Sequence, residues 1–343
     1  MRSSFKTFAK LGWLFAQYQL RKKHIIGAPI RLWIETASAC NLKCVMCPNK
    51  CVAADQKGLM SLELFRKIVD ECKTFASDVY LHHRGEPLLN PHLFEMMAYA
   101  SKTGLKTRMH TNGTLLTEEK AKKMLSSGLD LLSFSVDGFT KETYEEIRVG
   151  ANFETTVKNI MHIATLKKQS KSTKPYLVVE RIDFKSRTLQ PDQAKVKELE
   201  AKFLEAGVDE IITKAEYNWA EPAANNAQQA KRYYSACTFP WYAMVICADG
   251  TLTACPQDYH ALLKMGNANN QTLLEIWNGS AYNKLRSSFM KAGDMATVCQ
   301  NCDRFYRKTI LGVPVQYMTT FLVDQIFGYN KLRKIFGTHE RNV

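Results

Sequence analysis

Along the first 29 residues, Phe5, Phe8, Leu11, Phe15 and Tyr18 recur at helical spacing. Trp13 and Leu14 widen the apolar face, and Lys6, Lys10, Arg21, Lys22 and Lys23 supply charge. This pattern predicts a basic amphipathic helix, with Gly12 as its one weak point. From residue 30 the pattern changes. Ile30, Leu32, Trp33 and Ile34 predict a short strand that runs into a Cys-rich loop. Ser61 then caps a helix reaching about residue 73, with Leu62, Leu64, Phe65, Ile68 and Val69 on its apolar side. Further strands are predicted over 78–83, 105–110, 129–136, 176–182 and 210–213. The helices between them are predicted over 91–104, 117–127, 141–147, 153–168 and 191–206, the last ended by Gly207. Six strands alternating with helices make an α/β chain with a parallel sheet. The pattern fits an open doubly wound sheet or an incomplete barrel. In both, chemistry belongs at the C-terminal ends of the strands.

Beyond the sixth strand the composition shifts. Residues 216–236 are polar and rich in Ala, Asn and Gln, as a linker is. Residues 237–305 carry five cysteines outside any βα pattern and form a separate unit. Residues 306–343 are a basic tail mixing Phe321, Leu322, Ile326 and Phe327 with Lys331, Arg333 and Lys334.

Composition narrows the class. The 343 residues are 45% hydrophobic and 23% charged, a globular profile. No run approaches the roughly 18 apolar residues of a membrane span. The apolar stretch 11–16 is too short for a signal peptide and no cleavage site follows it. The chain therefore reads as cytoplasmic, where its ten cysteines stay reduced and serve metal or redox chemistry. The net charge of +14 suits an anionic partner: nucleic acid, a membrane surface or a phosphorylated substrate. Arg2, Lys6, Lys10, Arg21, Lys22, Lys23 and Arg31 all precede the first acid, Glu35. The excess is thus concentrated in residues 1–29, which points to peripheral membrane contact there. It argues against nucleic acid, for which no aromatic-basic stacking motif is present.

Cys40, Cys44 and Cys47 form C-x3-C-x2-C in the loop after the first strand. Three thiolates can hold one corner each of a cubane [4Fe–4S] centre and leave the fourth iron open. Zinc is the alternative, but it takes four tetrahedral ligands, with Cys51 as the nearest fourth.

The run Glu35-Thr36-Ala37-Ser38-Ala39-Cys40-Asn41-Leu42-Lys43-Cys44-Val45-Met46-Cys47-Pro48 resembles the signature of the radical S-adenosylmethionine (SAM) superfamily. Gly85-Glu86-Pro87, Thr111-Asn112-Gly113, Ser133-Phe134-Ser135-Val136-Asp137-Gly138 and Arg148 follow in the family's order. The resemblance covers about residues 30–215 and implies a partial (β/α)6 TIM-like barrel. It implies a [4Fe–4S] cluster on Cys40, Cys44 and Cys47, and SAM contacts from Met46, Gly85, Glu86, Pro87, Thr111, Asn112, Ser135, Asp137 and Arg148. Met46 stands where the family usually has an aromatic residue. Arg84 replaces the first Gly of the family's GGE-like motif, and is expected either to meet an anionic substrate group or to point outward. His82 and His83 alternate on a strand, and a core role is the simplest reading of either.

Cys237, Cys255, Cys299 and Cys302 form a second set. The Asp249-Gly250 pair predicts a hairpin that brings Cys237 and Cys255 together. With Gly266-Asn267 and Leu274-Glu275-Ile276-Trp277-Asn278, this region resembles the SPASM domain or its shorter twitch form. The resemblance implies one auxiliary [4Fe–4S] cluster, with zinc on four cysteines as the alternative. Cys51, Cys72 and Cys247 are left over as free thiols.

The resemblance also implies the reaction. SAM is cleaved reductively to a 5′-deoxyadenosyl radical that abstracts hydrogen, and the auxiliary cluster accepts an electron. The twitch-like spacing, and the roughly 29 residues before the first strand, favour a small sugar-like or aminocyclitol-like substrate, dehydrogenated or epimerised. Peptide modification is the runner-up and RNA modification the third. A flavodoxin or ferredoxin would supply electrons. Arg84, Glu180, Arg181, Asn218 and Trp219 are the candidate substrate contacts, with Asp183 beside them.

Overall fold

The computed structural model describes residues 2–54, 57–184, 192–215, 236–289, 296–300, 302, 309–310 and 313–314. In chain order the elements begin with α1 (Arg2–Gln19), β1 (Arg31–Ile34), α2 (Leu62–Cys72), β2 (Asp78–Tyr80), α3 (Leu93–Lys102), β3 (Lys106–Thr111), α4 (Glu118–Ser126) and β4 (Leu131–Ser135). They continue with α5 (Lys141–Ile147), α6 (Phe153–Gln169), β5 (Tyr176–Asp183), α7 (Gln193–Ala206) and β6 (Glu210–Ala215). The remaining helices and strands are α8 (Phe239–Tyr242), β7 (Ala243–Ile246), β8 (Thr251–Thr253), β9 (Lys264–Asn267), α9 (Leu273–Trp277), α10 (Ser280–Ser288), α11 (Thr297–Gln300), β10 (Thr309–Ile310) and β11 (Val313–Pro314).

The chain divides into two compact units. One comprises Leu32–Glu216 with Ile246–Gly250; the other comprises Met1–Arg31, Tyr217–Val245 and Thr251–Val343.

In the first unit the strands lie in the order β6-β5-β4-β3-β2-β1, and the pairings from β2 to β6 are parallel. This is the partial barrel expected of a (β/α)6 chain, since the strands follow in sequential order and β6 does not return to pair with β1. Side-chain alternation divides the sheet into two faces. Leu32, Ile34, Val79, Leu81, Met109, Leu132, Phe134, Leu177 and Val179 are fully buried on the apolar face. The register places Tyr80 beside Arg108, His110 beside Ser133, and Ser135 beside Glu180 on the other, polar face.

Local signals explain where the helices start and stop. Ser61, Thr117, Asn152 and Asp192 each accept a hydrogen bond from an amide in the first turn, as N-caps do. Gly207 ends α7 at φ +115°, a conformation that disfavours any Cβ. A Cβ there would also sit 2.8 Å from Ala164 O on α6. Strand β2 stops at Tyr80, three residues short of the expected end. The chain turns away because Gly85 N donates to Ala37 O (3.1 Å) and Glu86 N to Ala39 O (2.8 Å).

The second unit holds a sheet in the order β7-β8-β9, with β8 and β9 antiparallel. The expected leader belongs to it. Leu11, Leu14 and Tyr18 of α1 are buried, and Tyr18 packs edge-on against Trp241 with centroids 5.4 Å apart. Tyr18 OH donates to Ala236 O (2.7 Å). The basic run that follows is tied down by its carbonyls: Trp241 Nε1 donates to Lys22 O (3.1 Å) and Arg286 Nη1 to Lys23 O (2.9 Å). Leu11, Leu14 and Tyr18 are thus taken up inside the unit while Trp13 and Phe15 stay exposed, and this packing by itself gives no support to a membrane contact. No helix among the described residues is long and apolar enough to cross a membrane.

Candidate functional site

The loop after β1 carries Cys40, Cys44 and Cys47, and its shape is fixed by short-range hydrogen bonds. Ser38 N donates to Gly58 O and Met60 N to Thr36 O, closing the base of the loop. The Asn49 side chain donates to Ser38 O (2.8 Å). Lys43 N and Val45 N donate to Val149 O and Ile147 O, so the Cys44 segment runs alongside the end of α5. That pairing carries Arg148 to Cys44, with Nη1 3.9 Å from Sγ.

The other motifs converge on this loop through side-chain hydrogen bonds. Glu86 is buried and accepts from Thr111 Oγ1 (2.7 Å), Asn112 N (2.8 Å) and Leu88 N (3.0 Å). Burial pushes its pKa up, and these three donors work in the opposite direction. Asn112 Nδ2 donates to Asn41 Oδ1 (2.9 Å), which joins the third strand end to the Cys loop. A glycine is required at position 85, because a Cβ there would lie 2.3 Å from Ala39 O and 2.4 Å from Ala37 O.

Asp137 links the fourth and fifth strand ends. Its Oδ1 accepts from Ile182 N (2.9 Å) and its Oδ2 from Arg148 Nη2 (2.5 Å). Burial alone would lower the Arg148 pKa, but the charges of Asp137 and Cys44 outweigh it and hold the guanidinium charged. Arg148 Nε is buried with no hydrogen-bond partner. Such an atom calls for an acceptor, and a carboxylate is the natural partner of an arginine fork. Met46 and Ser135 are half-buried and Pro87 is buried.

The three sulfurs influence one another. Burial raises the Cys40 pKa to about 11, with Glu86, Cys44 and Cys47 adding to the rise. Burial also raises the Cys44 pKa, against the pull of Arg148. Among the described residues, no group of three or more His, Cys, Asp or Glu side chains is arranged to hold a single metal ion. A cubane, whose irons sit at separate corners, asks for a wider spread of thiolates. Its positive irons would also relieve the cost of ionising buried thiols. The residues present therefore fit an iron–sulfur cluster, and Arg148 Nε fits the carboxylate of SAM.

In the second unit, burial raises the Cys299 pKa, and Cys255, Cys237 and Cys302 each add to the rise. These four cysteines share one neighbourhood in the folded unit. Cys302 N donates to Cys299 O (3.2 Å), which holds the two cysteines of the C-x2-C pair close together. The remaining three differ from them. Cys72 and Cys247 are buried and Cys51 is exposed, with the Cys72 pKa pushed up to about 12 by burial.

The substrate candidates separate. Arg84 neither points outward nor leaves its fork open. Its Nε and Nη2 hold Glu35 Oε2 (2.6 Å) and Oε1 (2.8 Å). Arg181 lies on the helix-covered side of β5, donating from Nε to Thr213 Oγ1 (2.8 Å) and stacking over Phe139. Asn218, Trp219 and the Asp183 side chain lie outside the described residues. Glu180 is on the polar face and joins residues not singled out from sequence. Lys214 Nζ donates to its Oε2 at 2.6 Å, and His110 Nδ1 lies 3.6 Å from the same oxygen. His110 stacks on His82 with centroids 4.3 Å apart, and the row continues through Tyr80 to Trp33. His82 Nδ1 accepts from His110 N (3.1 Å), so the neutral ring carries its proton on Nε2. In the sequence His82 reads only as a core position, and nothing there joins it to His110.

Comparison with known proteins agrees with this arrangement. Residues 34–177 match the radical SAM superfamily, and residues 237–303 match the SPASM iron–sulfur cluster-binding domain. The AdoMet-dependent heme synthase of Methanosarcina barkeri is 33% identical over 135 residues, 39% of each chain. The tungsten-containing aldehyde ferredoxin oxidoreductase cofactor-modifying protein of Pyrococcus furiosus is 32% identical over 187 residues, 53% of this chain and 50% of that one. These matches span half or less of the relatives' own length. Among solved structures, BtrN in complex with AdoMet and 2-DOIA superposes with a TM-score of 0.54 at 17% identity, over 81% of this chain and 94% of that one. The chain belongs to the radical SAM superfamily, with a C-terminal SPASM domain and the [4Fe–4S] and SAM cofactors that these two domains imply.

Proposed function

We propose that this chain is a radical SAM enzyme that removes hydrogen from a small polar, sugar-like or aminocyclitol-like substrate, with the auxiliary cluster as electron acceptor. Cys40, Cys44 and Cys47 hold the SAM-binding cluster, and Cys237, Cys255, Cys299 and Cys302 hold the auxiliary one. Bound there, the first cluster and SAM supply reductive cleavage to a 5′-deoxyadenosyl radical. The observation that carries the reading is the convergence on Cys44 of Arg148, whose Nη2 is paired with Asp137 while its Nε is buried and unpartnered.

The protein's own residues then have defined work. Arg148 binds and orients a carboxylate through its open N–H, and Asp137 fixes the guanidinium in place. Asn112 and Glu86 hold the third strand end against the Cys loop. On the polar face, Glu180 accepts, Lys214 donates and His82 Nε2–H donates, a set suited to hydroxyl and amino groups. Glu180 stays ionised. Burial opposes its charge, but Lys214, joined by His110 at the acid pH where that ring is protonated, holds its pKa at about 2. Burial likewise lowers the pKa of His82 and His110, so both rings are neutral at working pH.

The test is isotope transfer. Deuterated polyols, aminocyclitols and short peptides are each incubated with reconstituted protein, SAM and reductant. Deuterium recovered in 5′-deoxyadenosine from a polyol or aminocyclitol supports the reading. Transfer from peptides alone assigns the chain to peptide modification.

A further inference from the structure

The second unit buries four polar side-chain atoms that have no hydrogen-bond partner among the described residues: Thr238 Oγ1, Trp277 Nε1, Tyr282 OH and Arg286 Nη2. Trp277, Tyr282 and Arg286 are fully buried. Leaving one such group unsatisfied is costly, more so when it is charged, and folded proteins leave few. Four in one small unit require a common explanation.

Three of them, on Trp277, Tyr282 and Arg286, are contiguous. The Arg286 guanidinium lies 4.4 Å from the Trp277 ring centroid and 5.1 Å from that of Tyr282. The two rings are 5.1 Å apart. Arg286 Nε donates to Pro240 O (2.8 Å), three residues beyond Cys237, and Thr238 is the next residue after that cysteine. Tyr282 lies within electrostatic reach of Cys255. The patch is therefore tied to the Cys237 segment through Pro240 and lies near Cys255.

Their chemistry is one-sided. An indole and a guanidinium N–H can only donate, and both hydroxyls can donate. Backbone carbonyls and Asn283 take other Arg286 donors, and no carboxylate pairs with it among the described residues. A buried, uncompensated cation with unused donors calls for a buried anion. A cubane with four thiolate ligands is an anion rich in sulfur acceptors.

We propose that Arg286, Tyr282 and Trp277 are positioning residues that donate to the sulfurs of the auxiliary cluster and raise its reduction potential. The inference rests on the assignment of that cluster to Cys237, Cys255, Cys299 and Cys302. Donors and a fixed positive charge favour the reduced cluster, which carries one more negative charge. This is the direction an electron acceptor needs.

The test uses the full-length chain with Cys40, Cys44 and Cys47 replaced by Ala, so that only the auxiliary cluster remains. Iron and labile sulfide are measured first, and then the midpoint potential by EPR-monitored titration. Tyr282→Phe keeps the ring and removes only the unpartnered hydroxyl. Arg286→Gln removes the charge. The expected result is a lower midpoint in both. A tenfold loss in the reduction equilibrium, about 59 mV for one electron, is expected for Arg286→Gln, and a smaller shift of the same sign for Tyr282→Phe. If Arg286→Gln does not fold, Tyr282→Phe alone decides. A full cluster with an unmoved midpoint overturns this proposal and leaves the ligand assignment standing. Zinc, or no iron and sulfide, overturns both.

Discussion

Arg84 holds the carboxylate of Glu35 by two parallel contacts, Nε–Oε2 at 2.6 Å and Nη2–Oε1 at 2.8 Å. Glu35 also accepts from Ala248 N (3.0 Å) and Arg84 N (3.2 Å), and it is fully buried. Removing one partner would strand a buried charge. Arg84→Ala is expected to lower unfolding free energy by about 3–5 kcal/mol. Arg84→Lys should recover only part of this, since a lysine lacks the fork. Urea unfolding measures both, and a loss below about 1 kcal/mol would show that the pair is not structural.

Arg148 and Asp137 should matter to SAM rather than to the fold of the Cys loop. Arg148→Lys keeps a charge but loses the fork, and Asp137→Asn loses the anchor. Each is expected to weaken SAM binding to the reconstituted protein about thirtyfold or more, the equivalent of about 2 kcal/mol. Equilibrium binding checks this. Unchanged affinity in both variants would remove Arg148 from the SAM site.

The two cysteine sets should fail separately. Replacing Cys40, Cys44 and Cys47 by Ser is expected to abolish SAM cleavage and remove about half of the iron and labile sulfide. Replacing Cys237, Cys255, Cys299 and Cys302 should remove the other half and preserve SAM binding. Loss of all iron from either set would contradict two independent centres.

Acid stability should report Glu180. Its folded pKa of about 2 lies below an unfolded value of about 4.3. Its contribution is therefore complete above the unfolded value and is lost as pH falls through the folded one. The shift corresponds to about 3 kcal/mol. Glu180→Gln should flatten the stability curve between pH 5 and 2, and a curve parallel to wild type would refute the pairing with Lys214. His82 and His110 act at higher pH. Kept neutral by burial, they reduce stability as pH drops below about 6.5.

Much of the first unit was legible from periodicity. The strand expected at 176–182 is found at Tyr176–Asp183, and the helix expected at 153–168 at Phe153–Gln169. Spacing fails where tertiary pairing decides. Arg84 looked available because its partner, Glu35, is 49 residues away on the neighbouring strand end. The Glu180–Lys214 pair is separated by 34 residues and the His82–His110 pair by 28. Each depends on strand register, which no local pattern encodes. The leader's helical stripe was visible, but not the surface that receives it. Leu11, Leu14 and Tyr18 are buried while Trp13 is half exposed, a division that depends on what the helix packs against. The orphaned donors around Arg286 were invisible for the same reason, since an unsatisfied group is defined only by its surroundings.

The most direct measurement is SAM cleavage. Anaerobically reconstituted full-length protein is incubated with SAM and a strong reductant, and 5′-deoxyadenosine and methionine are quantified. Both products, in equal amounts and absent when Cys40, Cys44 and Cys47 are replaced, are the predicted result. A fully iron- and sulfide-loaded protein that binds SAM yet forms no 5′-deoxyadenosine would contradict radical SAM catalysis by this chain.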